Sequence, residues 1–156
     1  MADSPKSRNT HRHFRKKPLT KEVLLRLPVA RVRAISPENH LALVTMRRGH
    51  GNPDVVSCLL KTGYLACFLH EALHDRLALE PFREAERALM RSVKRVELKK
   101  GWSMSDEDGA ILGTILALHD QQLAAVAVHQ LSAARERLNR FIVSEQISPI
   151  PADTAI

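Results

Sequence analysis

Asn52-Pro53-Asp54-Val55-Val56-Ser57-Cys58-Leu59-Leu60-Lys61-Thr62-Gly63-Tyr64-Leu65-Ala66-Cys67-Phe68-Leu69 is the stretch that decides the fold. Its first three residues form a helix start. An Asn side chain accepts from first-turn amides, a proline sits where no N–H bond is lost, and an acid faces the positive end of the dipole. The run then continues to about Leu79 and is apolar almost all round as far as Leu69, with Lys61 its only Lys or Arg before Arg76. A helix of that kind must be buried on most sides, which requires other helices around it. Gly63 costs about 1 kcal/mol relative to Ala inside a helix, and a closely packed neighbour is the expected return.

The flanking segments carry the same punctuation. Ser36-Pro37-Glu38 predicts a helix start, and Arg47, Arg48 and Gly49 predict its end. Glu80-Pro81 opens a third helix with the stripe Phe82, Ala85, Leu89, Val93 and Val96, closed by Gly101. Ser105-Asp106-Glu107-Asp108 resembles a capping box and begins a fourth, on which Gly109, Gly113 and Ala117 form a small-residue ridge. Val126–Gln130 predicts a kink or break, and Leu131, Ala134, Leu138, Phe141 and Ile142 give a last amphipathic segment. No stretch alternates with period two. The expectation is an all-α, single-domain bundle of four to five helices over residues 36–145. A strap or short helix is expected over 21–35, where Pro28 interrupts an apolar run, and a fraying tail over 146–156.

The 156 residues suffice for one domain, and the apolar fraction of 44% suffices for a core. Two cysteines make no disulfide framework and suggest a cytoplasmic protein. Cys58 and Cys67 lie nine residues apart on one helix, about 13 Å along its axis, so they cannot pair. No apolar run is long enough for a membrane span, and the basic start lacks a signal-peptide core.

The net charge of +7 is unevenly placed. Residues 1–35 hold ten Lys/Arg against Asp3 and Glu22; the other 121 residues hold fourteen basic and fifteen acidic groups. The chain is therefore a nearly neutral body with a cationic arm, and residues 1–20 have the composition of a disordered segment. Within that arm Arg12, Arg15, Lys16 and Lys17 are candidate phosphate contacts, with binding expected to be electrostatic and independent of sequence.

His70-Glu71-Ala72-Leu73-His74 fits H-E-x-x-H, in which two His a turn apart hold zinc and the Glu activates its water. Against that chemistry stand the absence of a sheet, of a third ligand at a recognisable spacing, and of an uncharged residue at Asp75. His70 is instead expected to be a packed, hydrogen-bonded histidine, and His119, on the stripe with Leu112, Leu116 and Leu123, a satisfied one at the core edge. No metal, cofactor or catalytic group is expected.

The last helix carries the other candidates. Ala134-Arg135-Glu136-Arg137-Leu138-Asn139-Arg140-Phe141 places three Arg and an Asn on an exposed side, able to reach phosphates and base edges, unless Glu136 and Arg140 simply pair on a solvated face. This stretch is similar to the end of the recognition helix in Fis-type nucleoid proteins. Glu136 departs from their basic pattern, and Val128-His129-Gln130 stands in place of their glycine turn. The resemblance implies a helix-turn-helix over Leu118–Phe141, with Arg135, Arg137, Asn139 and Arg140 on DNA. The chain also resembles small helical proteobacterial proteins of uncharacterised activity, some of them classed as Fis-family transcriptional regulators. Asn39-His40-Leu41-Ala42-Leu43, Gly49-His50-Gly51-Asn52, Gly101-Trp102-Ser103 and Leu118-His119-Asp120-Gln121-Gln122-Leu123 carry that likeness. The expected function is that of a DNA-associated or transcription-regulatory accessory protein. The alternatives are a protein-interaction adaptor and, more remotely, a zinc hydrolase.

Overall fold

The computed structural model describes residues 20–74 and 78–152. Among these there are six helices and no strand: α1 Lys21–Leu24, α2 Val29–Arg47, α3 Pro53–Leu73, α4 Glu80–Glu97, α5 Asp106–Ala125 and α6 Val128–Ile142. The all-α expectation holds. The arm residues Arg12, Arg15, Lys16 and Lys17 lie outside the described residues, as do 75–77 and 153–156.

Helices α2, α3, α4 and α5 form a ring in which each packs on its neighbours, and α3 also meets α5 across the middle. That position explains the all-round apolar surface of α3. Leu59, Ala66, Cys67 and Leu69 are buried there against Met46, Leu89, Leu112, Leu116 and Leu123. Helix α6 lies on the outer side of α3, and α1 lies on α6.

Start signals acted as local chemistry requires. The Asn52 side chain accepts from the Val55 amide at 2.9 Å, and the Ser105 hydroxyl accepts from the Asp108 amide at 3.1 Å. Val126 and Ala127 separate α5 from α6, the break expected in that region, and the Gln130 side chain caps the new helix by accepting from the Ala127 amide.

Four boundaries differ from expectation. Helix α2 begins at Val29 and runs through Pro37, so Ser36-Pro37-Glu38 is an interior segment and the strap ends at Pro28. Pro37 and Arg33, whose carbonyl loses its helical donor, are both exposed, so the unpaired carbonyl lies on the solvent side of the helix, where its loss costs least. Helix α3 stops at Leu73, where His74 turns to extended backbone. At the end of α4 it is Lys99 that adopts the left-handed conformation (φ 58°), followed by Gly101 at φ 78°. The tail does not fray at Pro149–Pro151: Ile150 is buried, and the Arg83 guanidinium donates to the Pro151 carbonyl at 2.7 Å and 3.1 Å.

The glycines also differ from expectation. A Cβ on Gly63 would meet nothing within 4 Å, so no helix approaches closely there. On the α5 ridge, Gly109 admits the Arg47 side chain, whose atoms lie 3.0–3.3 Å from where a Cβ would stand, whereas Ala117 is exposed.

Candidate functional site

A valley between α3 and α6 holds the most chemically distinctive surface. Phe68, Glu71 and Ala72 share one side of α3 at helical spacing. Gln130, Ala133, Ala134 and Arg137 share the facing side of α6. These residues, with His129 and Arg140, line a groove of about 430 Å³. A second groove of about 450 Å³ continues past it, lined by Phe68, Arg137, Arg140, Phe141, Ser144, Gln146 and Pro149.

Arg137 is fixed from two sides. Its guanidinium lies 4.1 Å over the centroid of the Phe68 ring, and Nη1 donates to the Glu71 carboxylate. Its other donors have no partner among the described residues. Arg140 is exposed and forms no ion pair or hydrogen bond there; in particular it does not pair with Glu136. His129 Nδ1 donates to the Val23 carbonyl at 3.2 Å. The Gln130 oxygen is used by the Ala127 amide at 3.0 Å, which leaves its NH₂ to donate. The valley is thus rich in donors, and its one carboxylate is already neutralised. Such a surface suits an anion.

The predicted contact residues divide between two sides of α6. Arg137 and Arg140 stand three apart on the valley side, whereas Arg135 and Asn139 stand four apart on the other and are exposed. They do not form the single exposed side expected, because Phe68 and Glu71 draw Arg137 inward. Helix α6 packs on α3 and α1 rather than forming a packed pair with α5, so the two-residue break does not build a helix-turn-helix interface.

The strap Thr20–Leu27 is stitched to the start of α6. The Val128 amide donates to the Leu25 carbonyl at 3.0 Å, and Arg26 and Ala127 form an isolated antiparallel bridge.

The H-E-x-x-H residues do not converge. Glu71 is bound to Arg137, the His70 and His74 rings stack with centroids 4.4 Å apart, and His74 Nδ1 donates to the His70 carbonyl at 3.2 Å. No group of three His, Cys, Asp or Glu among the described residues is placed to hold a metal ion. His70 is packed against Phe82, but both ring nitrogens are buried without a partner among the described residues, contrary to the hydrogen bond expected. His119 is 1% exposed rather than at the core edge, and its Nδ1 has no partner. Burial lowers the pKa of both rings. Burial likewise raises the Cys67 thiol to about 12, which makes it unreactive.

Elsewhere, three arginines of α4 are paired with carboxylates. Arg83 and Arg87 pair with Glu80, Arg87 and Arg91 with Glu84, and Arg91 with Asp108.

Phe68, Glu71, His129 and Gln130 were not singled out for this surface from the sequence. Glu71 and Arg137 are 66 residues apart, and nothing local marks them as partners. None of the described helices is long and apolar enough to cross a membrane. No protein-family model, curated protein or solved structure matches the chain.

Proposed function

We propose that this chain is a DNA-associated, transcription-regulatory accessory protein, a binding protein rather than an enzyme, working in the cytoplasm. It meets the polyanion through its cationic N-terminal segment, with α6 as the adjoining surface. The observation that carries this reading is the stitching of Thr20–Leu27 to the start of α6. Arg12, Arg15, Lys16 and Lys17 lie three to eight residues before Thr20, so they stay within roughly 30 Å of it even when fully extended. Arg135 and Asn139 on the exposed side of α6, and Arg140 at the valley, are then the body residues best placed to add contacts. The near neutrality of the rest of the body, where Arg83, Arg87 and Arg91 of α4 are paired with carboxylates, leaves the arm as the main source of attraction.

A gel-shift titration of a duplex against salt tests the reading, using the full chain and a full-length variant with Arg12, Arg15, Lys16 and Lys17 changed to Gln. The expected outcome is retardation at low salt that falls steeply as salt rises, with a slope of about 0.9 per phosphate neutralised, and a shallower slope in the variant. Unchanged retardation in the variant refutes the proposal.

A second reading, a protein-interaction adaptor, is favoured by one observation: Ile142, Val143 and Ile147 are 49%, 86% and 97% exposed at the end of α6. A partner bound equally by the wild type and the arm variant, but lost when these three become Ser, would select it.

A further inference from the structure

We propose that the α3–α6 valley is a second, body-borne site that takes single-stranded nucleic acid: one phosphodiester sits across Arg137 and Arg140, and the nucleosides on its two sides enter the two grooves. The identity of the anion rests on the nucleic-acid reading above; the site does not involve the N-terminal segment.

The geometry has three parts. Arg137 and Arg140 line both grooves, so their guanidiniums stand where one groove passes into the other. A ligand running along the valley therefore presents its negative charge at the middle and its uncharged parts on either side. The two grooves are nearly equal, about 430 and 450 Å³, and each falls within the range of about 300–1,000 Å³ usual for small-ligand sites. Two similar volumes about one cationic divide match a repeating unit joined by an anion, which is a dinucleotide step.

Each groove also offers a ring and an amide. His129 and the free NH₂ of Gln130 line the first; Phe141 and Gln146 line the second. Every base presents a π-face, so stacking on such rings tolerates any sequence. Arg137 is already oriented by Phe68 and Glu71, so little side-chain freedom is lost when a phosphate arrives. A duplex keeps its bases stacked inside and offers phosphates alone, so it meets the arginines without filling the grooves.

The test measures fluorescence anisotropy of fluorescein-tagged hexathymidylate in the full-length arm variant, the four arm cations being Gln. Binding is expected to persist there. Adding Arg140→Gln should weaken it roughly tenfold, the size of a lost charge-assisted hydrogen bond. Adding Phe141→Leu should weaken it roughly fivefold. Unlabelled hexathymidylate should compete better than a duplex of the same length. Arg140 is exposed, so its variant should keep the helical circular dichroism of the parent, whereas Phe141 packs edge-on against Tyr64 and its variant is checked the same way; if either loses that signal, Gln146→Ala, at an exposed residue of the second groove, carries the test with a severalfold loss of binding. Loss of all hexathymidylate binding in the arm variant, indifference to both substitutions, or equal competition by duplex overturns the proposal. If Arg140 matters to the single strand while the arm variant holds duplex as well as wild type does, the arm reading fails and this one stands.

Discussion

Arg91 grips Asp108 across the α4–α5 contact, with Nη2 2.6 Å and Nε 3.1 Å from the same carboxylate oxygen. The carboxylate is 10% exposed and sits in the first turn of α5, where the dipole also favours it. Arg91 joins this site to Glu84, and so ties the α4 ladder of charges to the start of α5.

Arg91→Ala should cost about 2 kcal/mol, between the small value of a surface pair and the larger one of a buried pair. The melting temperature should fall by roughly 4–8 °C. Asp108→Asn in the same background should recover part of the loss, because the stranded charge is gone. Thermal unfolding followed by circular dichroism reads both; an unchanged melting temperature in Arg91→Ala would show that the pair contributes nothing.

Two positions carry the wrong residue for their backbone. Gly63 is in a helix interior with open space beside it, and Lys99 holds a left-handed conformation that suits glycine. Gly63→Ala and Lys99→Gly should each stabilise the fold by about 0.5–1 kcal/mol. Gly51→Ala should do the opposite, since its Cβ would run into the Met46 sulfur and lie 3.0 Å from the Trp102 Cβ. Urea midpoints of the three variants check these signs, and a destabilised Gly63→Ala would mean that a neighbour does fill that space.

Acid should weaken the fold through one half-buried and one buried histidine. His70 and His119 have pKa values below the usual 6.5 because burial disfavours the imidazolium. The unfolded chain therefore takes up protons first as pH falls. Stability from these rings is complete above 6.5 and declines below it, toward their lowered values in the fold. Urea midpoints at pH 7.5 and pH 5.0 should show this drop, and His119→Gln should make it smaller. An equal drop in that variant removes His119 from the account.

The starts of α3 and α5 were the most legible part of the sequence, because each is made by local chemistry. Asn52 and Ser105 cap as their side chains dictate, and the apolar surface of α3 required the helices α2, α4, α5 and α6 that pack on it. The start of α2 was not legible. Pro37 is as comfortable on the solvent side of a helix interior as in a first turn, and only the packing of the residues before it distinguishes the two. The packing of Ile150 was hidden for a similar reason: the neighbouring Pro151 carbonyl is held by Arg83, 68 residues away. At the valley, Arg137 and Arg140 could be picked out by type, but their division from Arg135 and Asn139 follows from Phe68 and Glu71 on another helix.

The bridge between Arg26 and Ala127 has a kinetic consequence. It makes the cationic segment a short tether whose root is fixed beside α6. Once that segment has captured a polyanion, contact with the body is an intramolecular event, at an effective concentration on the order of millimolar for a short flexible link. A surface on α6 that binds only weakly by itself then contributes more, and the two weak contacts multiply. Cutting the stitch, for instance with Val128→Pro, which removes the amide that donates to Leu25 at a helix position where proline is tolerated, would leave each surface intact and lower their product.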